Sequence, residues 1–260
     1  MKRIGFIGMG NMAGALARGF IASGKVAAGD IFAFAPHQDK LERNAASIGF
    51  TPCKSVLELL DSADVVVLAC KPQQIKGVLD EIKVPLRGKP LLSVAAGWRH
   101  QDFVAALGQG YRIQCLMPNV AASVAEGVFL FEDVSTLAPD ELSFAKELFG
   151  TLGVVQVLPT ALMKIGMAIT GCGPAFMDMI MEAYADAAVK WGIPRDTAYT
   201  LVAQTMKGSA RLQLESKTHP AVLKDAVCSP GGATIVGVAS LEASGLRGAC
   251  ISSIDAIMAH

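Results

Sequence analysis

The chain has 260 residues, enough for two modest domains or one large one, and its charges balance, with 23 Lys plus Arg against 23 Asp plus Glu. That balance, with no basic block anywhere, speaks against a nucleic-acid partner or an anionic membrane surface. Hydrophobic residues reach 52% and charged residues only 18%, so more apolar surface is expected than one chain hides alone, which points to a subunit interface.

The first element is the most informative. Ile4, Phe6 and Ile7 suit a buried strand, and Gly8, Gly10 and Ala13 follow with G-x-G-x-x-A spacing. Met12, Leu16 and Phe20 then recur at helical spacing. Strand, tight turn and helix in this order predict a dinucleotide loop. Gly8 makes the turn, Gly10 admits a pyrophosphate to the backbone, and Ala13 lets helix and strand pack closely. The N–H groups at the start of the helix face the phosphates. The same glycines break up the N-terminal apolar run, which therefore does not read as a secretory signal.

A second strand is expected over 30–35, DIFAFA. Dinucleotide folds usually place an acid after it for the ribose 2′-hydroxyl. Here Ala35, Pro36 and His37 stand there, with Lys40 and Arg43 just beyond. The missing acid favours NADP, with NADPH preferred and NADH possible; the basic residues could equally be solvating a helix start. A short helix is expected over 57–63. The run DVVVLAC, 64–70, reads as a strand buried on both faces. It ends at Lys71-Pro72-Gln73, which should border the cofactor because ligands bind beyond the carboxyl ends of parallel strands. Further strands are expected at 91–94, ending in Ala95-Ala96-Gly97, at 111–116, ending in Met117-Pro118-Asn119, and at 128–131 and 154–158, the last two separated by a helix over 140–152. The fold class is therefore α/β, a Rossmann-type doubly wound sheet over 1–159 followed by an all-helical domain over 160–260. In the second domain, Gly171-Cys172-Gly173-Pro174-Ala175 reads as a loop leading into a helix over 175–191. Another helix should start at Pro194 and Asp196. His219-Pro220 should cap and begin a third, and Ser229-Pro230-Gly231-Gly232-Ala233-Thr234 should interrupt before helices resume.

The six cysteines, at 53, 70, 115, 172, 228 and 250, are dispersed, with no C-x-x-C pair and no nearby His. No metal site is expected, and the pattern suits reduced thiols in the cytoplasm. No uncharged stretch is long enough to cross a bilayer.

The glycine-rich start, Ala69-Cys70-Lys71-Pro72, Met117-Pro118-Asn119, the GCGPA segment and SPGGAT fall in one order that resembles the pyrroline-5-carboxylate reductase family over essentially the whole chain. SPGGAT in a helical C-terminal domain is the most specific part. The resemblance implies hydride transfer from NAD(P)H to a cyclic five-carbon imine, giving proline, the last step of its synthesis. It also implies a small-molecule substrate and self-association as a homodimer or larger homo-oligomer through the C-terminal helices. By resemblance, Ile7, Gly8, Met9, Gly10, Asn11 and Met12 touch the cofactor, as do Ala69, Cys70, Lys71 and Pro72, with Ala95 and Ala96 near the nicotinamide. Gly231, Gly232, Ala233 and Thr234 match the substrate segment, where the Thr234 hydroxyl meets the ring nitrogen. Cys172 stands where the family commonly has Ser, and Lys217, Ala226, Val120 and the Gln114–Cys115 region depart from its pattern. Physical chemistry fits: glycines before a helix start can hold a carboxylate, and a protonated imine needs positioning more than a charged catalyst. Thr234 has a second reading as a helix N-cap, with its hydroxyl on the backbone. Two rivals share the N-terminal loop. A β-hydroxyacid dehydrogenase would place a lysine soon after Gly173, where none occurs before Lys190; a non-enzymatic NADP-sensing module would need no small-anion site.

Overall fold

The computed structural model describes residues 2–260. The chain divides into two compact units, one ending at Gly171 and the other Cys172–His260.

The first unit is built on an eight-stranded sheet. Strand β1 (Ile4–Ile7) enters α1 (Asn11–Ala22) and β2 (Ile31–Phe34) enters α2 (Gln38–Ile48); the two-residue β3 (Thr51–Pro52) and α3 (Val56–Ser62) follow. Then come β4 (Val65–Leu68), α4 (Pro72–Ile82), β5 (Pro90–Ser93), α5 (His100–Leu107), β6 (Arg112–Met117), β7 (Gly127–Ser135), α6 (Pro139–Gly150) and β8 (Gly153–Leu158). The order across the sheet is β3-β2-β1-β4-β5-β6-β7-β8. β1, β4 and β5 are buried on both faces, as their unbroken apolar runs require when helices cover both sides.

All pairings are parallel except β6 with β7. The reversal was not anticipated from the sequence, and its cause is the link. Only residues 118–126 join the two strands, with a short 3₁₀ turn at Val120–Val124, which is too little chain for a crossover helix. β7 and β8, joined through α6, are parallel again. On one face of the sheet a cluster of rings fixes α1 and α6: Phe149 meets Phe20 edge-on at 5.4 Å and lies 5.1 Å from Phe129. The other face carries Leu59, Ile75, Leu79 and Phe103 from α3, α4 and α5.

After β8 come α7 (Met163–Met167) and a π-helical turn, Ala168–Cys172. The GCGPA segment is therefore not a loop. The π turn runs directly into α8 (Gly173–Lys190), whose Pro174 lies in the first turn, where its missing N–H costs nothing. The second unit continues with α9 (Arg195–Ser216), α10 (Pro220–Ala226), α11 (Ala233–Ala243) and α12 (Leu246–Ala259). His219 caps α10, its Nδ1 accepting from the Ala221 N–H at 3.2 Å. Only Gly173, Ala185 and Ala198 are buried in these five helices. Met177, Met179, Leu201, Leu212, Val236 and Ile251 stay exposed. No helix among the described residues is long and apolar enough to cross a membrane.

Candidate active site

Four strand ends meet along one edge of the first unit. Backbone bonds carry the ladder past the strands: Gly8 N donates to Phe34 O at 2.8 Å, Ala69 N to Ile7 O at 2.8 Å, and Val94 N to Leu68 O at 3.0 Å. This brings together Gly8–Met12, Pro36–His37, Ala69–Pro72 and Ala95–Ala96, at the carboxyl ends of β1, β2, β4 and β5. Their residues came from four separate stretches of sequence, and the strand order β2-β1-β4-β5 makes them neighbours.

The glycines here have different physical reasons. Gly8 has φ +93, and a Cβ added to it would lie 2.7 Å from the Cys70 N and 2.8 Å from the Ala69 carbonyl carbon. The chain leaving β4 passes too close for any side chain. Gly10 caps α1 at an ordinary φ of −83, and an added Cβ would meet nothing within 4 Å. Its lack of a side chain leaves open space beside the first unpaired N–H groups of α1, the cradle a pyrophosphate needs. Ala13 is buried against the sheet, and Asn44 Nδ2 holds the loop from outside through Met9 O at 3.3 Å. The residues present therefore fit a dinucleotide.

Beyond β2, Pro36 and His37 are exposed, and His37 forms the N-cap of α2. The nearest acid, Asp39, sits in the first turn of α2 beside Lys40, and Arg43 follows on the same helix. At the β4 exit Lys71 is the N-cap of α4; its N–H donates to Gln74 Oε1 at 3.2 Å, and Pro72 begins the helix. Asn119, 7% exposed, serves the backbone: its Oδ1 accepts from Val128 N at 3.0 Å and its Nδ2 donates to Thr170 O at 3.1 Å.

Ala95 and Ala96 line a cavity of about 250 Å³, together with residues that the sequence reading did not single out. Its wall includes Trp98, Arg99, Cys115, Leu116, Glu132 and Met163. Glu132 is buried in mid-β7, where it accepts from His100 N at 2.9 Å and from the Thr160 hydroxyl at 2.6 Å. The one sequence signal for it is an acid inside the apolar run VFLFED. Burial, reinforced by Glu132, pushes the Cys115 thiol far above its ordinary range. Burial likewise raises Cys53 to about 11 and raises Cys70, so these thiols stay protonated and unreactive.

In the second unit the SPGGAT segment is a turn closed by Gly232 N on Ser229 O at 3.0 Å. Gly231 takes φ +68, and Gly232 is the N-cap of α11. Thr234 is therefore the second helical residue, not the cap, and α11 has no side-chain cap at all. That corrects the N-cap reading of Thr234. Its side chain is exposed and its hydroxyl has no partner among the described residues. The unpaired N–H groups that open α11 can receive an anion, with the hydroxyl one residue away. Of the departures noted from sequence, Lys217 ends α9 at φ +53 and Ala226 ends α10.

Residues 160–260 match the family described as pyrroline-5-carboxylate reductase dimerisation, and residues 3–97 match that described as NADP oxidoreductase, coenzyme F420-dependent. The chain is 41% identical to the pyrroline-5-carboxylate reductase of Treponema pallidum (strain Nichols), covering 98% of each sequence. It is 38% identical to the enzyme of the same name from Escherichia coli (strain K12), over 99% of this chain and 96% of the other. The crystal structure of Plasmodium falciparum pyrroline carboxylate reductase with NADP bound superposes with a TM-score of 0.88 at 30% identity, covering 98% of this chain and 95% of that one.

Proposed function

The chain belongs to the pyrroline-5-carboxylate reductase family, and from that premise we infer that its two glycine-gated helix starts bind the cofactor and the substrate of one reaction. The reaction is the reduction of 1-pyrroline-5-carboxylate to L-proline with NAD(P)H, the last step of proline biosynthesis. The observation that carries the reading is the cradle at Gly8–Gly10, shaped for a phosphate, in a chain that also opens α11 with Gly231–Gly232–Ala233–Thr234.

NADP(H) is the cofactor, and when bound it supplies the hydride that the imine carbon takes up. The chain's own part is positioning. The N–H groups of Asn11 and Met12 at the start of α1 hold the pyrophosphate, with Ile7 and Met9 shaping the loop. Pro36 and His37 would receive the 2′-phosphate, and Ala69–Pro72 would line the cofactor from the β4 exit. Ala95 and Ala96 are small enough to let the nicotinamide lie against the β5 exit. The unpaired backbone N–H groups that open α11, at Ala233 and Thr234, receive the substrate carboxylate, and the Thr234 hydroxyl holds the ring nitrogen. A protonated imine is already electrophilic, so orientation supplies most of what the step needs. Two carboxyl-free anion sites, one per unit, fit an anionic cofactor and an anionic substrate.

Self-association occurs through residues 160–260, giving at least a homodimer. The reading places the enzyme in the cytoplasm, where its six thiols, none of them in a disulfide, stay reduced. The test is consumption of NADPH by the purified chain with pyrroline-5-carboxylate, and formation of proline in equal amount. NADPH that binds without ever being oxidised would leave a sensing module instead.

A further inference from the structure

We propose that Glu132 is a positioning residue for hydride transfer: from the middle of β7 it holds the N–H of His100, and through it the Ala95–Arg99 turn that receives the nicotinamide. That the nicotinamide lies at this turn rests on the function inferred above; the bond itself does not.

The turn is anchored only at its two ends. At the β5 end, Val94 N donates to Leu68 O at 3.0 Å and Ala95 N reaches Ser93 Oγ at 3.4 Å. Between the ends, Ala96, Gly97 and Trp98 make no backbone hydrogen bond among the described residues, and Gly97 takes φ +80. At the other end the chain enters α5, with Arg99 as N-cap and His100 as first helical residue. Arg99 N donates to Asp102 at 2.8 Å, but Asp102 belongs to the same helix and fixes nothing outside it. His100 N donates to Glu132 Oε2 at 2.9 Å, and this bond ties the helix start to the sheet. A carboxylate at a helix start is favoured by the dipole, and a charged hydrogen bond fixes distance and direction. The packing of Phe103 under α5 is apolar and non-directional. Trp98 stacks on Phe103 at 5.1 Å, so a shift of α5 carries the turn with it. Glu132 is itself held from two further elements, by the Thr160 hydroxyl at 2.6 Å and by the Cys115 thiol of β6. At 3% exposed it costs stability that an apolar residue of its size would not. What an apolar residue could not do is hold the His100 N–H. The imidazole makes a second tie, Nε2 lying 3.2 Å from Thr136 Oγ1, so ring and N–H need separate tests.

The experiment removes the bond from each side. Glu132→Leu keeps the bulk and loses the acceptor. His100→Pro loses the donor at a position where proline suits a helix, and Arg99 before it is already extended at φ −101 and ψ 166. Each should lower kcat about 10- to 100-fold, the scale of a misplacement near one ångström. KM for pyrroline-5-carboxylate and affinity for adenosine 2′,5′-bisphosphate, a cofactor fragment without nicotinamide, should stay at the wild-type values. The emission of bound NADPH, which comes from the nicotinamide, should shift in both variants. Combining the two should cost no more than the costlier one alone, since both delete one bond. Glu132→Gln keeps a carbonyl for the His100 N–H and should recover most of kcat. His100→Ala, which keeps the N–H, should lose far less than His100→Pro. His100→Pro decides the matter if Glu132→Leu does not fold. Wild-type kcat and emission in folded Glu132→Leu or His100→Pro overturn the proposal. So do additive losses in the double variant, a matching loss of bisphosphate affinity, a Glu132→Gln enzyme no better than Glu132→Leu, or a His100→Ala enzyme as poor as His100→Pro. The emission needs only the cofactor, so a wild type that never reduces pyrroline-5-carboxylate would refute the proposed function and leave this readout standing.

Discussion

Replacing Thr234 with Val separates a contact made to the substrate from one made to the helix. The substitution keeps the shape and removes only the hydroxyl. Among the described residues that hydroxyl has no partner, and the cap of α11 is Gly232, so the helix loses no hydrogen bond. Stability should therefore change by no more than about 0.5 kcal/mol, the range of an exposed substitution. If the hydroxyl holds the ring nitrogen in the transition state, its loss should cost about 1–3 kcal/mol there. That is roughly a 5- to 150-fold fall in kcat/KM. NADPH affinity should be unchanged, because the phosphate cradle belongs to the first unit. Steady-state rates with pyrroline-5-carboxylate, NADPH fluorescence titration and a urea melt on one preparation measure all three quantities. A Thr234→Val enzyme with wild-type kcat/KM refutes the role given to Thr234, and a large loss of stability would show that the hydroxyl serves the fold after all.

Three further outcomes are expected. Gly8→Ala should destabilise the first unit by more than about 2 kcal/mol in urea, since its Cβ would meet backbone at 2.7 Å at φ +93, whereas Gly10→Ala should cost about 1 kcal/mol or less and instead weaken NADPH binding about tenfold; equal effects of the two would deny Gly10 a ligand. NADPH should bind more tightly than NADH in a fluorescence titration, because no acid directly follows β2 at Ala35–His37; a clear preference for NADH would overturn that argument. The Arg3 guanidinium and N–H donate to Asp64 and hold its carboxyl below the ordinary value, so its contribution is full above the unfolded carboxyl's pKa and disappears as pH falls through the lower native one. Asp64→Asn should accordingly lose less stability than wild type between neutral and acid urea melts.

The start of the chain was legible because local rules and the global fold agree there: a buried strand, a glycine that sterics demand, and a periodic helix. The reversal of β7 was not legible, since strand direction depends on the length of the link and not on the residues of the strand. β3 spans two residues and has no period to read. GCGPA looked like a loop because Gly and Pro usually interrupt, yet a proline in a first turn is equally at home in a helix. Glu132 shows the remaining limit. Its importance comes from what β6, α5 and the segment before α7 place around it, and no spacing in the sequence carries that.

The two proposed anion sites use one device, a glycine turn that delivers the chain into a helix start, but their surroundings differ. At Gly8 the backbone of Ala69 and Cys70 closes against the turn, so the cradle is complete within the first unit. At Gly231 an added Cβ would meet nothing within 4 Å, and the helices of the second unit bury only three residues. Apolar helices so exposed need a second copy to cover them. Cofactor binding should then survive in a single chain while turnover should not. Leu201→Lys places a charge on an exposed apolar position of α9. It should give a monomer by light scattering, with NADPH affinity kept and proline formation reduced at least about a hundredfold, since the substrate segment would lose its covering. A monomeric Leu201→Lys enzyme that turns over at the wild-type rate would show that each chain completes its substrate site alone.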